Sequence, residues 1–488
     1  MVFDHVSHWS YAQFSTGSEA ALRTAYGILL LLQLVWTWPH ARRFFSTERY
    51  GGYIESSGFL DRAHTPLTAY VVLALWSLSA LGLAFGTFVL PAALINFALA
   101  HYFFVTLRWK SILRGMGAPG HMNYWIGALI AFLALGDTLA PAIPLRAVTV
   151  IAFRIDFALI MLAAGVYKFV AGYARGDGFE RGLVNPWWGW WSKWLRAFPS
   201  RSPIFILLDH AAYAAEIICG IAFLIPAAAP YGAAVLGLSF LGIAGVIRLT
   251  FLAEMVAACC LLYIWPNTPV DAIFTRLLYP AHVAPINGPI ANTIAFALTI
   301  MLAAYVAMLP FAYTCMIVNF YFRRRLAEPI QRFFDAWNRF FGLILWRVFT
   351  NDIISFYCDI LERRKDGADQ PIRASLRFNH VGEFICLASL FTTLKYYPKE
   401  TALFHKRVLR YVRSLPVTES TVVFRYHRIE KGYAGFEYIP IAEFIVNPLT
   451  SEVEERVLDG RFNVRSSETG SPIHTAGRPG SYAPVSST

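Results

Sequence analysis

The sequence predicts an α-helical polytopic membrane bundle of about eight or nine transmembrane helices, followed by a smaller C-terminal α+β extramembrane domain. Three observations predict it. Hydrophobic residues make up 57% of the 488 and charged residues only 15%, against about 25% charged in a typical soluble domain. Apolar runs of roughly 20 residues, the length that crosses a hydrocarbon core, recur through the first two thirds of the chain. The 14 Trp, 24 Tyr and 39 Phe suit aromatic belts at two membrane faces.

In order, residues 1–20 are polar and mixed, without the short apolar core and small-residue cleavage site of a removable signal. The transmembrane domain is expected over 21–325, with spans at 21–38, 67–86, 88–107, 122–140, 147–172, 205–226, 230–247, 249–265 and 291–322. Long connections remain at 39–66, 108–121, 173–204 and 266–290. Residues 326–350 are too charged to span. Phe333, Phe334, Trp337, Phe340 and Phe341 recur there at three- and four-residue spacing, as in an amphipathic interfacial helix or one capping the extramembrane domain. Residues 351–460 read as the α+β domain, with strands near 420–427 and 437–446 and helices near 382–396 and 400–414. The Ser-, Gly- and Pro-rich composition of 461–488 predicts disorder.

The net charge of +11 falls mainly in connections and the C-terminal third, so membrane orientation explains it better than nucleic acid. Lys and Arg concentrate in 39–66, 108–121, 173–204 and the run Arg323-Arg324-Arg325. With nine spans these share one side, and the positive-inside rule makes it cytoplasmic, in a multi-pass protein of the bacterial cytoplasmic membrane type. Six scattered cysteines, none in a CxxC pair, argue against a disulfide framework or a metal site. Trp187, Trp188, Trp190, Trp191 and Trp194 suggest an interfacial helix.

Ionisable residues inside apolar spans are costly and are functional candidates by default. The fifth span carries Arg154, Asp156 and Lys168, and the sixth carries Asp209, His210, Tyr213 and Glu216. Arg248 and Glu254 flank the next junction, and His121 opens the fourth span. Asp209 and Glu216, seven apart, share one helix face about 10 Å apart, whereas Arg154 and Lys168 lie about 21 Å apart. Lys168 reads either as a snorkelling lysine with its ammonium at the headgroups or as a desolvated base. A third reading pairs it with Glu216 or Asp209, charged and structural. A lone His121 at a helix start fits a capping role or a catalytic one.

These residues stand in an order that resembles the HTTM superfamily, the membrane fold of vitamin K-dependent gamma-glutamyl carboxylase. Leu22-Arg23-x-x-x-Gly27-x-Leu29-Leu30 is similar to that family's first-helix pattern. Gly120-His121-x-Asn123-Tyr124-Trp125-x-Gly127 and Ala164-Gly165-Val166-Tyr167-Lys168-Phe169 resemble its histidine and catalytic-lysine stretches. Leu208-Asp209-His210 to Pro226 is similar to the helix after the lysine motif. Trp346-Arg347-x-Phe349-Thr350, Asp366-Gly367 and the strands near 420–446 continue the order, so the resemblance covers roughly residues 15–460. The long connection with Asn185-Pro186 also looks like the lipase maturation factor family.

The resemblance implies Lys168 as a base toward a quinone-type cofactor such as vitamin K hydroquinone, with His121 as helper. Arg154, Asp156, Asp209, His210, Glu216 and Glu254 would be supporting polar residues. It also implies an exported or membrane protein substrate. The later Phe-His-x-x-Asn signature is absent, with Ile247-Arg248-Leu249-Thr250-Phe251 in that region. The family places its C-terminal domain on the lumenal side, opposite to the charge reading. The maturation-factor likeness implies instead a non-enzymatic membrane factor or chaperone.

Overall fold

The structure is a computed structural model. It describes residues 10–107, 117–139, 143–176, 178–278, 285–321, 326–346, 354–364, 367–372, 401–413, 415, 421–432 and 434–459. The longer helices are α1 (Thr16–Thr37), α2 (Pro66–Phe85), α3 (Val89–His101), α4 (Gly117–Thr138), α5 (Leu145–Ala171) and α6 (Pro203–Phe223). They continue as α7 (Ala229–Val246), α8 (Leu252–Cys259), α9 (Pro269–Leu277), α10 (Pro289–Tyr321), α11 (Glu328–Phe341) and α12 (Thr401–Arg413). Among the described residues, seven helical stretches are long and apolar enough to cross a membrane: α1 with its extension to Phe45, α2, α3 with a π-turn to Thr106, α5, α6, α7 and α10.

Two of the nine predicted spans, the fourth and the eighth, fall short of that length and apolarity, although both stretches must cross the bundle if 39–66, 173–204 and the sheet are to lie on one side. The fourth, 122–140, is the 22-residue helix α4, whose opening Gly117-Ala118-Pro119-Gly120-His121 and polar Asn123 and Asp137 lower its apolarity. It is buried around nearly its whole circumference, so it sits among helices rather than against lipid. The eighth, 249–265, is interrupted where Thr250 and Phe251 both adopt positive φ. That left-handed backbone is costly for a β-branched residue and ends helical continuity. Beyond the break the chain forms only the short α8 and a 3-10 turn, Cys260–Tyr263, inside the bundle.

Packing of the spans relies on small residues, as close helix approach in lipid requires. A Cβ on Gly27 of α1 would lie 2.6 Å from the Ala84 backbone nitrogen of α2. Gly165 of α5 and Gly220 of α6 face each other's backbones in the same way, at 2.9 Å from Tyr213 O and 2.8 Å from Leu162 N. Arg23, buried on α1, donates to Leu83 O at the end of α2 (2.7 Å). The Leu22-Arg23-x-x-x-Gly27 pattern thus has a packing role.

The extramembrane domain is a five-stranded antiparallel sheet in the order β2-β1-β3-β4-β5. Its strands are β1 (Phe356–Arg363), β2 (Asp369–Pro371), β3 (Thr421–Lys431), β4 (Phe436–Asn447) and β5 (Glu452–Val457). The predicted strands near 420–427 and 437–446 are β3 and β4, and the helix near 400–414 is α12. The expected helix at 382–396 and the tail at 461–488 lie outside the described residues, as do Arg347, Phe349, Thr350 and Asp366. Helix α11 packs on the membrane bundle, through Phe341 against Tyr305 and the Phe340 carbonyl near His101 Nε2 (3.1 Å), rather than on the sheet. Its Ile330, Phe333 and Phe340 remain exposed.

The sheet docks on the charge-rich connections. Asn185 Nδ2 donates to the carbonyls of Ile354 and Phe356, both at 2.8 Å. Arg181 reaches Ser355 Oγ (2.6 Å) and Tyr438 donates to Val184 O. Arg410 of α12 bonds Tyr53 O (2.9 Å) and pairs with Glu48. Connections 39–66 and 173–204 therefore share a side with the sheet. The tryptophan cluster is not one interfacial helix: Trp187 and Trp188 are buried, and Trp187 Nε1 donates to Cys358 O of β1 (3.1 Å). Only Trp191 and Trp194 are exposed.

Candidate functional site

Lys168 lies in the last turn of α5, where that helix packs against α6. Its ammonium pairs with Glu216 Oε1, and both side chains are almost wholly buried, at 8% and 4% exposure. The snorkelling reading is thereby corrected: the ammonium turns inward to a carboxylate instead of outward to headgroups. The close backbone approach at Gly165 and Gly220 brackets this pair and sets the α5–α6 separation it spans.

Glu216 shares its helix face with Asp209, as the seven-residue spacing predicts, and both are buried. Beside Asp209 the chain turns through Gly176 and Gly178 into the short helix Phe179–Val184. The Phe179 amide donates to Asp209 Oδ1 (2.5 Å), and the Gly178 amide to Glu180 Oε2 (2.8 Å). Glu180 is fully buried, and Lys431 from the end of β3 reaches down to pair with its Oε1 (2.9 Å) and to donate to Gly176 O. Tyr173 is enclosed among these groups. Burial pushes its hydroxyl well above the usual tyrosine range, and the negative charges of Asp209, Glu180 and Glu216 push it further.

The cluster thus joins α5, α6, the connection after α5 and the extramembrane sheet. Glu180, Tyr173 and Lys431 were not among the residues singled out from sequence. They sit in polar or strand contexts where a charged or phenolic residue is unremarkable, and only the docking of the sheet converts them into a buried site.

Other predicted residues go elsewhere. His121, buried at the start of α4, accepts a hydrogen bond at Nδ1 from Trp346 Nε1 (3.3 Å) and meets that indole edge-on. The two candidate catalytic residues thus have different partners on neighbouring helices: Trp346 for His121 and Glu216 for Lys168. Arg154 is fully buried and donates to the carbonyls of Tyr11 (2.6 Å), Gln13 (3.0 Å) and Leu262 (2.9 Å), with Trp265 under its guanidinium. It staples the N-terminal segment and the α8 turn to mid-bundle. Asp156 accepts from Trp125 Nε1 and Tyr305 (both 2.7 Å) and from Tyr313 (3.3 Å).

His210 is exposed and shares a hydrogen bond with Tyr213 (2.8 Å). Glu254 is half-buried in α8, and Arg248 stacks over Trp190 (4.5 Å). Among the described residues no group of His, Cys, Asp and Glu has the arrangement to hold a metal ion. No family model, curated protein or solved structure matches this chain. The chemistry therefore rests on the geometry of the cluster.

Proposed function

We propose that this multi-pass membrane protein is an enzyme of the carboxylase-like HTTM type, in which Lys168 abstracts a proton from a quinone-like or protein substrate. The observation that carries this reading is the buried Lys168–Glu216 pair at the end of α5, in the seam between bundle and sheet. In such a pair the proton can pass from Nζ to the carboxylate without separating charge in a low-dielectric site. The free amine that results is a base kept from water. His121 would assist from the neighbouring helix α4. A quinone-type cofactor such as vitamin K hydroquinone would supply the oxygen chemistry when bound, and Lys168 would take its proton. The membrane is the bilayer of a bacterial cytoplasmic membrane, with the sheet on the charge-rich, cytoplasmic side.

A second reading is favoured by the same ion pair: an ammonium neutralised by Glu216 and a histidine held by Trp346 are also what a structural core contains. The protein would then be a non-enzymatic maturation factor for an exported or membrane protein. Mass spectrometry of the purified protein for a co-purifying quinone or a carboxylated peptide separates the two. On the enzymatic reading such a species is found, and its turnover is abolished by His121→Ala and by Lys168→Met, the latter also when Glu216→Leu is added to restore stability. If no such species is found and both variants keep full biological function, the enzyme reading fails.

A further inference from the structure

Deepening that reading and resting on it for its consequence at Lys168, we propose that Glu180 and Asp209 hold one proton between them, forming a buried acid pair whose charge state sets how readily Lys168 releases its own proton. The two carboxyls are gathered on adjacent backbone amides, Glu180 on that of Gly178 and Asp209 on that of Phe179, and ionised carboxylates are acceptors only, so any contact between the two requires a proton on one of them. Asp209 Oδ2 is buried without a hydrogen-bond donor. On Glu180, Oε2 takes the Gly178 amide and Oε1 faces the Lys431 ammonium. A proton shared by the two carboxyls supplies the donor that Asp209 lacks.

Charge balance leads to the same conclusion. Among the described residues the cluster holds the carboxyls of Glu180, Asp209 and Glu216 against the ammonium groups of Lys168 and Lys431. Three carboxylates against two ammonium groups would leave a net negative charge in the interior, which is strongly unfavourable. A single proton on the acid pair makes the set neutral. The groups facing the pair are Lys431 from β3, Tyr173 from the turn after α5, Glu216 one face-repeat along α6, and Lys168 beyond it on α5. Arg181, next in sequence to Glu180, is turned to Ser355 instead.

The consequence for Lys168 is electrostatic. With the proton in place, the ammonium is stabilised mainly by Glu216. Loss of that proton adds a second negative charge nearby and holds Lys168 protonated. Lys431 favours ionised Glu180 and so opposes retention of the proton, and it belongs to the extramembrane sheet. The docking of the sheet therefore bears on the basicity of a residue inside the bundle. Glu180, Asp209 and Lys431 are positioning residues.

The test is infrared spectroscopy of the full-length protein in lipid nanodiscs, following the carbonyl stretch of protonated carboxylic acid through a pH titration in H2O and D2O. We expect a deuterium-sensitive band near neutral pH that disappears both in Glu180→Gln and in Asp209→Asn, whose amides keep the shape of the protonated acid. In Lys431→Met the band should persist to about tenfold or more lower proton concentration, the size of effect a lost neighbouring charge produces. A band indifferent to either amide variant, or a midpoint unmoved by Lys431→Met, overturns the proposal. No substrate enters this measurement. A missing quinone or carboxylated peptide would therefore defeat the enzyme reading and leave the acid pair standing.

Discussion

The buried ammonium of Lys168 is worth more to the folded state when paired than its partner is when alone. Removing one member of a buried ion pair strands the other charge and costs about 3–5 kcal/mol, whereas replacing both with apolar residues of similar volume is often neutral. Lys168→Met should therefore lower the unfolding midpoint in detergent sharply, and Lys168→Met with Glu216→Leu should recover most of it. A double variant as unstable as the sum of the singles would show that the pair is not the stabilising unit. His64 offers a pH test away from the spans. It is buried between Phe45 O (3.1 Å) and the Tyr102 hydroxyl (2.8 Å). Burial pushes its imidazole below the usual range, against the opposing pull of the Phe45 carbonyl. The unfolded chain thus takes up a proton first as pH falls, so its stabilising share is complete above about pH 6.5 and is lost below it. The unfolding midpoint of the wild type should drop between pH 7.5 and 5.5, and His64→Gln should flatten that slope.

Among the elements, α5 and α6 carry the site because two glycines let them touch. Gly165→Val would drive a side chain into the Tyr213 carbonyl and the Ile217 amide. Backbone cannot swing aside as a side chain can, so the cost should fall at the upper end of the roughly 1–3 kcal/mol typical of overpacking. The Lys168–Glu216 pair should open with it. Gly242→Ala in α7 meets nothing within 4 Å and should be neutral or mildly stabilising, since alanine favours helix by about 0.5–1 kcal/mol. Thermal unfolding of the two variants side by side checks the contrast.

Element by element, the long apolar helices were plain in the sequence because length and hydropathy alone define them. The segment at 249–265 was apolar enough to read as one unbroken helix, since nothing in its letters announces the positive φ at Thr250 and Phe251. Strands β3 and β4 were readable from their β-branched and aromatic runs. β1 and β5 were not: Phe356 to Arg363 buries neighbours on both faces instead of alternating, and Glu452 to Val457 is densely charged for a strand. In the site, Lys168, Asp209 and Glu216 were legible as charges in apolar runs at helical spacing. Glu180 and Lys431 were not, because their burial is created by contacts 255 residues apart along the chain.

For the molecule as a whole, the joint between bundle and sheet is the distinctive feature, and Asn185 is its centre. Its side chain donates to two β1-side carbonyls and accepts from the Trp187 amide (2.8 Å). Asn185→Ala would remove the amide donor from both carbonyls, at about 1–3 kcal/mol. Faster hydrogen exchange should appear in β1 and along Phe179–Val184, while the amides of α5 stay protected. Uniform loss of protection across bundle and sheet would mean that the two do not separate as units.

The same joint imposes a schedule on biosynthesis. Asn185 leaves the ribosome 169 residues ahead of Ile354, and Tyr53 leaves 357 residues ahead of Arg410. At ordinary translation speeds of about 5–20 residues per second, that is a wait of roughly ten seconds to a minute. During it, the membrane helices are inserted while the receiving surface for the sheet stands bare. The nascent protein must therefore outlive an interval in which buried tryptophans and an unsatisfied asparagine face water, and its yield will depend on whatever shields them until the last third of the chain arrives.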